Sequence, residues 1–155
     1  MKAEPDSRIV KGIDVKFSID DLARIQRSPW DGVRNYEARN ILRDRMKLGD
    51  KVLFYHSNCK QPGIAGIASI VREGYPDHTA FDPNHPYYDI KSNKDAPKWF
   101  MVDVKFHSKF TEVLPLSQLK TLDKLKEMVL IKRGRLSVQP VRKEEYDFIL
   151  ALANK

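Results

Sequence analysis

Side chains able to ligate a metal or act as nucleophile or base are few and scattered: His56, Cys59, His78, His85 and His107. Only His56 and Cys59 stand at ligand spacing, and no second pair completes a tetrahedral zinc site. No metal is expected. A dyad of Cys59 and His56, or Ser57 beside that histidine, would need a strained turn or a third orienting group, and no G-x-S-x-G frame surrounds either. The acid pairs Asp20-Asp21 and Glu144-Glu145 fall at predicted helix starts, where the helix dipole accounts for them. The glycines form neither a P-loop nor a dinucleotide fingerprint, so no nucleotide cofactor is expected.

Two stretches carry a different chemistry. "SPWDGVRNYEARN", residues 28 to 40, sets Trp30 beside a proline–glycine turn and runs into a helix bearing Arg34, Asn35 and Arg39. "FYHS", residues 54 to 57, adds Tyr55, His56 and Ser57. Binding a nucleobase needs a π face, worth about 1–3 kcal/mol per stacked base, and polar groups for its edge. Trp30, Tyr55 and His56 supply faces, Asn35 and Ser57 supply edge contacts, and Arg34, Arg39 and Arg43 supply charge for phosphates. Each also has a structural reading: Trp30 as a cap on the core, Tyr55 as a core tyrosine, Asn35 as a helix N-cap.

The elements that must position these residues read as mixed α and β. Ser18 followed by Asp21 gives a capping-box start to a short helix. Ala38, Ile41, Leu42 and Met46 repeat at helical spacing over about 35–46, with Asn35, Arg39 and Arg43 on another side. "KVLFYHS" alternates as a strand, with Val52, Phe54 and His56 on one side and Leu53, Tyr55 and Ser57 on the other. "GIAGIASIV" is a strand in which Gly63 and Gly66 mark a bend or close backbone approach. Residues 73–98 read as one long surface excursion, a kind of loop that often carries function. "KWFMVDVKF" is predicted to send Phe100, Val102, Val104 and Phe106 into the core and Trp99, Met101, Asp103 and Lys105 to the opposite face. "TEVLPLSQLK" gives a short strand and a proline-started helix, and "RLSVQP" a further strand. "KEEYDFILALANK" is a closing helix buried through Phe148, Ile149 and Leu152. With no βαβ rhythm, this order favours an α+β fold built on a small, curled, mostly antiparallel sheet, one domain over 1–155.

Composition narrows the partners. The 155 residues carry a net charge of +7, and one cysteine excludes an intrachain disulfide. Residues 132 to 143 hold Lys132, Arg133, Arg135, Arg142 and Lys143 with no acid between them. Such clustering points to an anionic partner, or else to a solvated basic face. No apolar run approaches a membrane span, so no membrane partner is expected.

The stretches "MKAEP", "WDGVRNYEARN", "FYHSNCKQPGIAGIASIV", "YPDHTAFD", "PKWFMVDVKF" and "RLSVQP" are colinear and together resemble the EVE domain across nearly the whole chain. EVE domains belong to the PUA-like superfamily of small bent β-barrels with surrounding helices, which also holds the YTH readers of methylated adenine. The resemblance implies that fold. It implies a pocket for a modified base in DNA or RNA and no established reaction; the expectation drawn here is a non-catalytic reader, acting as a monomer, of a base of the modified-cytosine or methylated-adenine class. Lys2 matches the family's "MKSEP" strand, with Ala3 in place of the usual serine; Trp30, Asp31, Arg34 and Asn35 match "WDGVRN"; Tyr55, His56 and Ser57 match "FYHS". These eight are the expected pocket, with Arg39, Arg43 and Arg135 expected on the phosphate backbone. The family's first strand usually begins upstream of "MK", so that strand is expected to lack a few residues. A nuclear location follows from the likeness, or a cytoplasmic one in a bacterium. The alternatives are an enzyme acting on modified nucleic acid through His56 with Asp31 or Ser57, and a protein-interaction module presenting residues 73–98.

Overall fold

The structure is a computed structural model that describes residues 1–154. Three long strands make its centre: β5 (Lys51–His56), β6 (Gly63–Pro76) and β7 (Phe100–Pro115) pair antiparallel in succession. The short strand β1 (Lys2–Ala3) adds parallel to β5, and β4 (Arg27–Pro29) adds antiparallel to β7. The order is β1-β5-β6-β7-β4, and a separate hairpin pairs β2 (Ile9–Val10) with β3 (Ile13–Asp14).

The mixed α+β reading stands, but hydrogen bonding does not close the sheet into the expected barrel, because β1 and β4 are edges that do not pair with each other. The "RLSVQP" segment explains part of this. It is not a strand: the Leu136 N–H turns back to the Arg133 carbonyl, and the Gln139 amide donates to the carbonyls of Arg133 and Leu136, consuming groups a ladder would use. One bond, from Lys2 N–H to Ser137 carbonyl at 2.9 Å, lays the segment along the outer edge of β1. Leu136 and Val138 are buried in the core.

Curl enters where β6 meets β7, whose register shifts repeatedly. Gly66 sits at one shift, and a Cβ there would lie 2.4 Å from the Ser108 carbonyl oxygen, so only glycine admits that approach.

Both faces of the sheet are covered. Val52 and Phe54 of β5 join one cluster with Ile19, Leu22, Trp30, Ala38 and Leu42, while Leu53 and Tyr55 join a second with Ile64, Phe110, Leu119 and Ile149. Two-sided cover also corrects the reading of β7: Trp99, Met101 and Asp103, expected on an outer face, are buried.

Helices flank the sheet, all but the fourth of them where the sequence placed them. α1 (Ile19–Ile25) starts at the Ser18–Asp21 capping box, and α2 (Tyr36–Asp44) is capped by the Asn35 side chain accepting from Ala38 N–H at 2.9 Å. α3 (Leu116–Leu119) follows Pro115, α4 (Val129–Lys132) is one turn, and α5 (Lys143–Ala153) closes the fold on Ile149. The excursion is shorter than predicted, since β6 continues to Pro76. Beyond it, Asp82, Asp89 and Asn93 side chains each accept from a backbone N–H two residues on, folding it into successive tight turns.

Candidate nucleic-acid interface

The turn after β4 is built by contacts from far along the chain. The Trp30 N–H donates to the Val102 carbonyl at 2.7 Å, carrying the chain one step past the β4–β7 pairing. Gly32 then adopts φ +80, and a Cβ there would meet the Tyr87 ring at 2.6 Å. Its N–H donates to Asp77 Oδ2 at 2.9 Å, and the Arg34 guanidinium donates to the same oxygen at 2.9 Å. Arg34 also donates to the Tyr87 carbonyl. Asp77 is wholly buried, and its other oxygen accepts from the Thr79 N–H and hydroxyl. Burial pushes the Asp77 carboxyl up, but the bonds from Thr79, Gly32 and Arg34 outweigh it and hold it below its ordinary value.

A cleft of about 570 Å³ opens beside this turn. Lys2, Trp30, Asp31, Arg34, Ser57 and Arg135 line it, with Arg8, His85 and Tyr87. Trp30 is its aromatic floor, only 8% exposed, with Phe17 and Phe54 packed edge-on against it at centroid distances of 6.0 and 5.5 Å. Tyr87 and His85 flank it as tilted rings 5.5 Å apart. The His85 Nδ1 accepts from the Tyr87 N–H, which leaves Nε2 facing Asp31 Oδ2 at 3.7 Å. Burial, then the Asp77 charge, raises the Asp31 carboxyl above its usual range, with His85 and Arg34 opposing. The Lys2 ammonium donates to the Gly134 carbonyl and sits 5.4 Å over the Tyr55 ring; burial lowers its pKa. The cleft thus joins an apolar floor and flanking rings to the carboxylates of Glu4, Asp14 and Asp31 and to several cations, a lining able to stack and hydrogen-bond a flat heterocycle.

The chain matches the EVE domain over residues 1–152. It belongs to the EVE domain family. Human thymocyte nuclear protein 1 is 54% identical to it over 165 residues, which span 100% of this chain and 73% of that protein. The crystal structure of the human protein in complex with 5-methylcytosine-containing DNA superposes with a TM-score of 0.95, covering 100% of this chain and 96% of that one. A crystal structure from Pseudomonas putida, 49% identical, superposes at 0.90 over 99% of this chain and 97% of that one.

This EVE domain does not bring every expected residue to the cleft. Asn35 is spent capping α2. Tyr55 faces the second apolar cluster and a separate crevice of about 30 Å³. His56 accepts from the Ile19 N–H through Nε2 at 3.1 Å and packs edge-on to Phe54, and burial lowers its pKa. The cause is the alternation of β5, which aims Tyr55 and His56 to opposite faces while Ser57 follows the strand end to the cleft. Arg39 and Arg43 do not line the cleft; Arg39 donates to the Lys98 carbonyl and Arg43 pairs with Asp44. Sequence reasoning gave Asp77, His85 and Tyr87 no place in the pocket: His85 stood only among the scattered possible metal ligands, Asp77 only within the stretch "YPDHTAFD", and Tyr87 only in the long excursion. Among the described residues no three His, Cys, Asp or Glu side chains gather as for a metal ion.

Proposed function

We propose that this chain is a non-catalytic reader that takes one modified cytosine of DNA into the cleft beside Trp30. The observation that carries the reading is the full-length likeness to the human protein crystallised with 5-methylcytosine-containing DNA. That likeness favours modified cytosine over methylated adenine. A base extruded from a duplex costs a few kcal/mol, which stacking and edge contacts must offset. In this reading Trp30 is the floor, Tyr87 and His85 flank the ring, and Asp31 accepts from the cytosine 4-amino group. Lys2, Arg34 and Ser57 complete the wall, Arg135 holds a phosphate, and the net charge of +7 favours a polyanion. The chain acts as a monomer, and a nuclear location follows the name of its vertebrate relatives.

Catalysis through His56 is disfavoured because its ring nitrogen already accepts the Ile19 N–H. The excursion serves the cleft through Tyr87 and His85 rather than standing apart as a docking surface. The test is fluorescence anisotropy with otherwise identical oligonucleotides carrying 5-methylcytosine, cytosine or thymine at one position. The methylated cytosine binds tightest at every salt concentration. Equal affinity for all three overturns the reading, as does any mass change of the oligonucleotide after incubation.

A further inference from the structure

The β2–β3 hairpin has no role in the core. Ile9 is 65% exposed and Ile13 is 47% exposed, and neither belongs to either hydrophobic cluster. Antiparallel pairing sets Ile9 opposite Asp14 and Val10 opposite Ile13, so the two isoleucines lie on opposite faces of the ribbon. The ribbon is nonetheless rigid. Its two turn residues, Lys11 and Gly12, adopt φ +51 and +77, the left-handed pair that matches the twist of a two-residue hairpin. Asp14 ties its base, accepting from the Ser7 hydroxyl and from the N–H groups of Arg8 and Lys16. Lys11 fixes its tip, donating to the Pro83 carbonyl at 3.3 Å and lying 5.2 Å over the Tyr88 ring.

A stiff ribbon with exposed isoleucines, three cations and one carboxylate already taken by hydrogen bonds fits one kind of partner. Arg8, Ile13 and Lys16 line the cleft itself, so the ribbon continues the surface on which a base would sit. We propose that this hairpin is the wedge that enters a DNA duplex when a base leaves it, with Ile13 filling the vacated place in the stack. Arg8 and Lys16 then face the flanking phosphates, displacing the 3.1 Å contact of Arg8 with Glu4 and the 3.9 Å contact of Lys16 with Asp21. Apolar side chains inserted between base steps stabilise unstacked duplexes in this way, and an extruded base leaves a hole that otherwise costs a few kcal/mol. The inference rests on the reading of the cleft as a base pocket.

The test compares the intact chain with Ile13→Ser and Ile9→Ser/Ile13→Ser on a duplex carrying one 5-methylcytosine and on the same strand single. A 2-aminopurine beside the modified base reports unstacking. The Ser variants lose about tenfold in duplex affinity and most of the fluorescence rise, a loss several times larger than the one they show on the single strand. Ile13→Met restores duplex binding, and Leu48→Ser, at a 63% exposed site outside the cleft, changes neither affinity. Unchanged duplex affinity, or equal losses on duplex and single strand, overturns the wedge while leaving the pocket standing. Equal affinity of the unaltered chain for methylated and plain single strands overturns both.

Discussion

The Arg34 guanidinium and the Asp77 carboxylate meet at 2.9 Å, and that pair fastens the excursion after β6 to the turn that follows β4. Asp77 has no water contact, and Arg34 keeps only a fifth of its side chain exposed, at 22%. Removing Arg34 leaves a buried carboxylate short of its charged partner. Arg34→Ala is expected to cost about 3 kcal/mol in urea unfolding, and Arg34→Lys less, because an ammonium cannot serve Asp77 and the Tyr87 carbonyl with the same planar fork.

Acid should loosen the same joint. The folded Asp77 carboxyl lies below its unfolded value, so its contribution is present above the ordinary carboxylate range and is lost as pH falls through the folded value. Unfolding midpoints measured downward from pH 5 should therefore fall, and Asp77→Asn should flatten that slope.

Asp31 runs the other way. Its folded carboxyl lies above the unfolded value, through burial and the Asp77 charge, so its contribution is favourable in acid and is lost as pH rises through the folded value. Asp31→Asn is expected to stabilise the chain at pH 7, with the gain vanishing below about pH 4 where the unfolded carboxyl is also protonated. The same change should weaken selection of cytosine against thymine, since an amide can also donate to a 4-carbonyl. Stability bought by losing selectivity would mark Asp31 as a binding residue.

Trp30 serves the core and the cleft together. Trp30→Ala should cost about 3–5 kcal/mol of stability, so its loss of affinity is uninformative unless the variant is shown to be folded. Trp30→Phe keeps most of the apolar contact with Phe17 and Phe54, and calorimetry on that variant should show reduced preference for 5-methylcytosine at near-normal stability.

Among the basic residues, Arg135 lines the cleft and has no hydrogen-bonded or ionic partner among the described residues. Arg135→Ala should weaken methylated and plain oligonucleotides alike and reduce the salt dependence by about one phosphate. Arg39→Ala should do less, because that guanidinium is occupied by the Lys98 carbonyl and lies 5.0 Å over the Tyr36 ring.

Local pattern carried much of the fold. The Ser18–Asp21 box, the Asn35 cap and the Ala38-Ile41-Leu42 stripe are each decided within one or two turns of helix, where side chain and backbone are neighbours whatever the rest does. The alternation of β5 likewise belongs to any extended chain. Pattern failed at "RLSVQP", where the Gln139 amide captures carbonyls that alternation assigned to a neighbour strand, and at β7, where alternation cannot say that both faces are covered.

The amino-acid sequence by itself determined the family, the main helices and strands, and the stretch from Trp30 to Arg34 as the place to look. Only the tertiary structure decided that Tyr87 lies over Gly32, that Asp77 grips Arg34, and that His85 rather than His56 faces the cleft. The reason is range. Helix caps and strand alternation are written in neighbouring residues, whereas these contacts join segments more than forty residues apart, and each exists only once the β6–β7 register has set where the excursion returns.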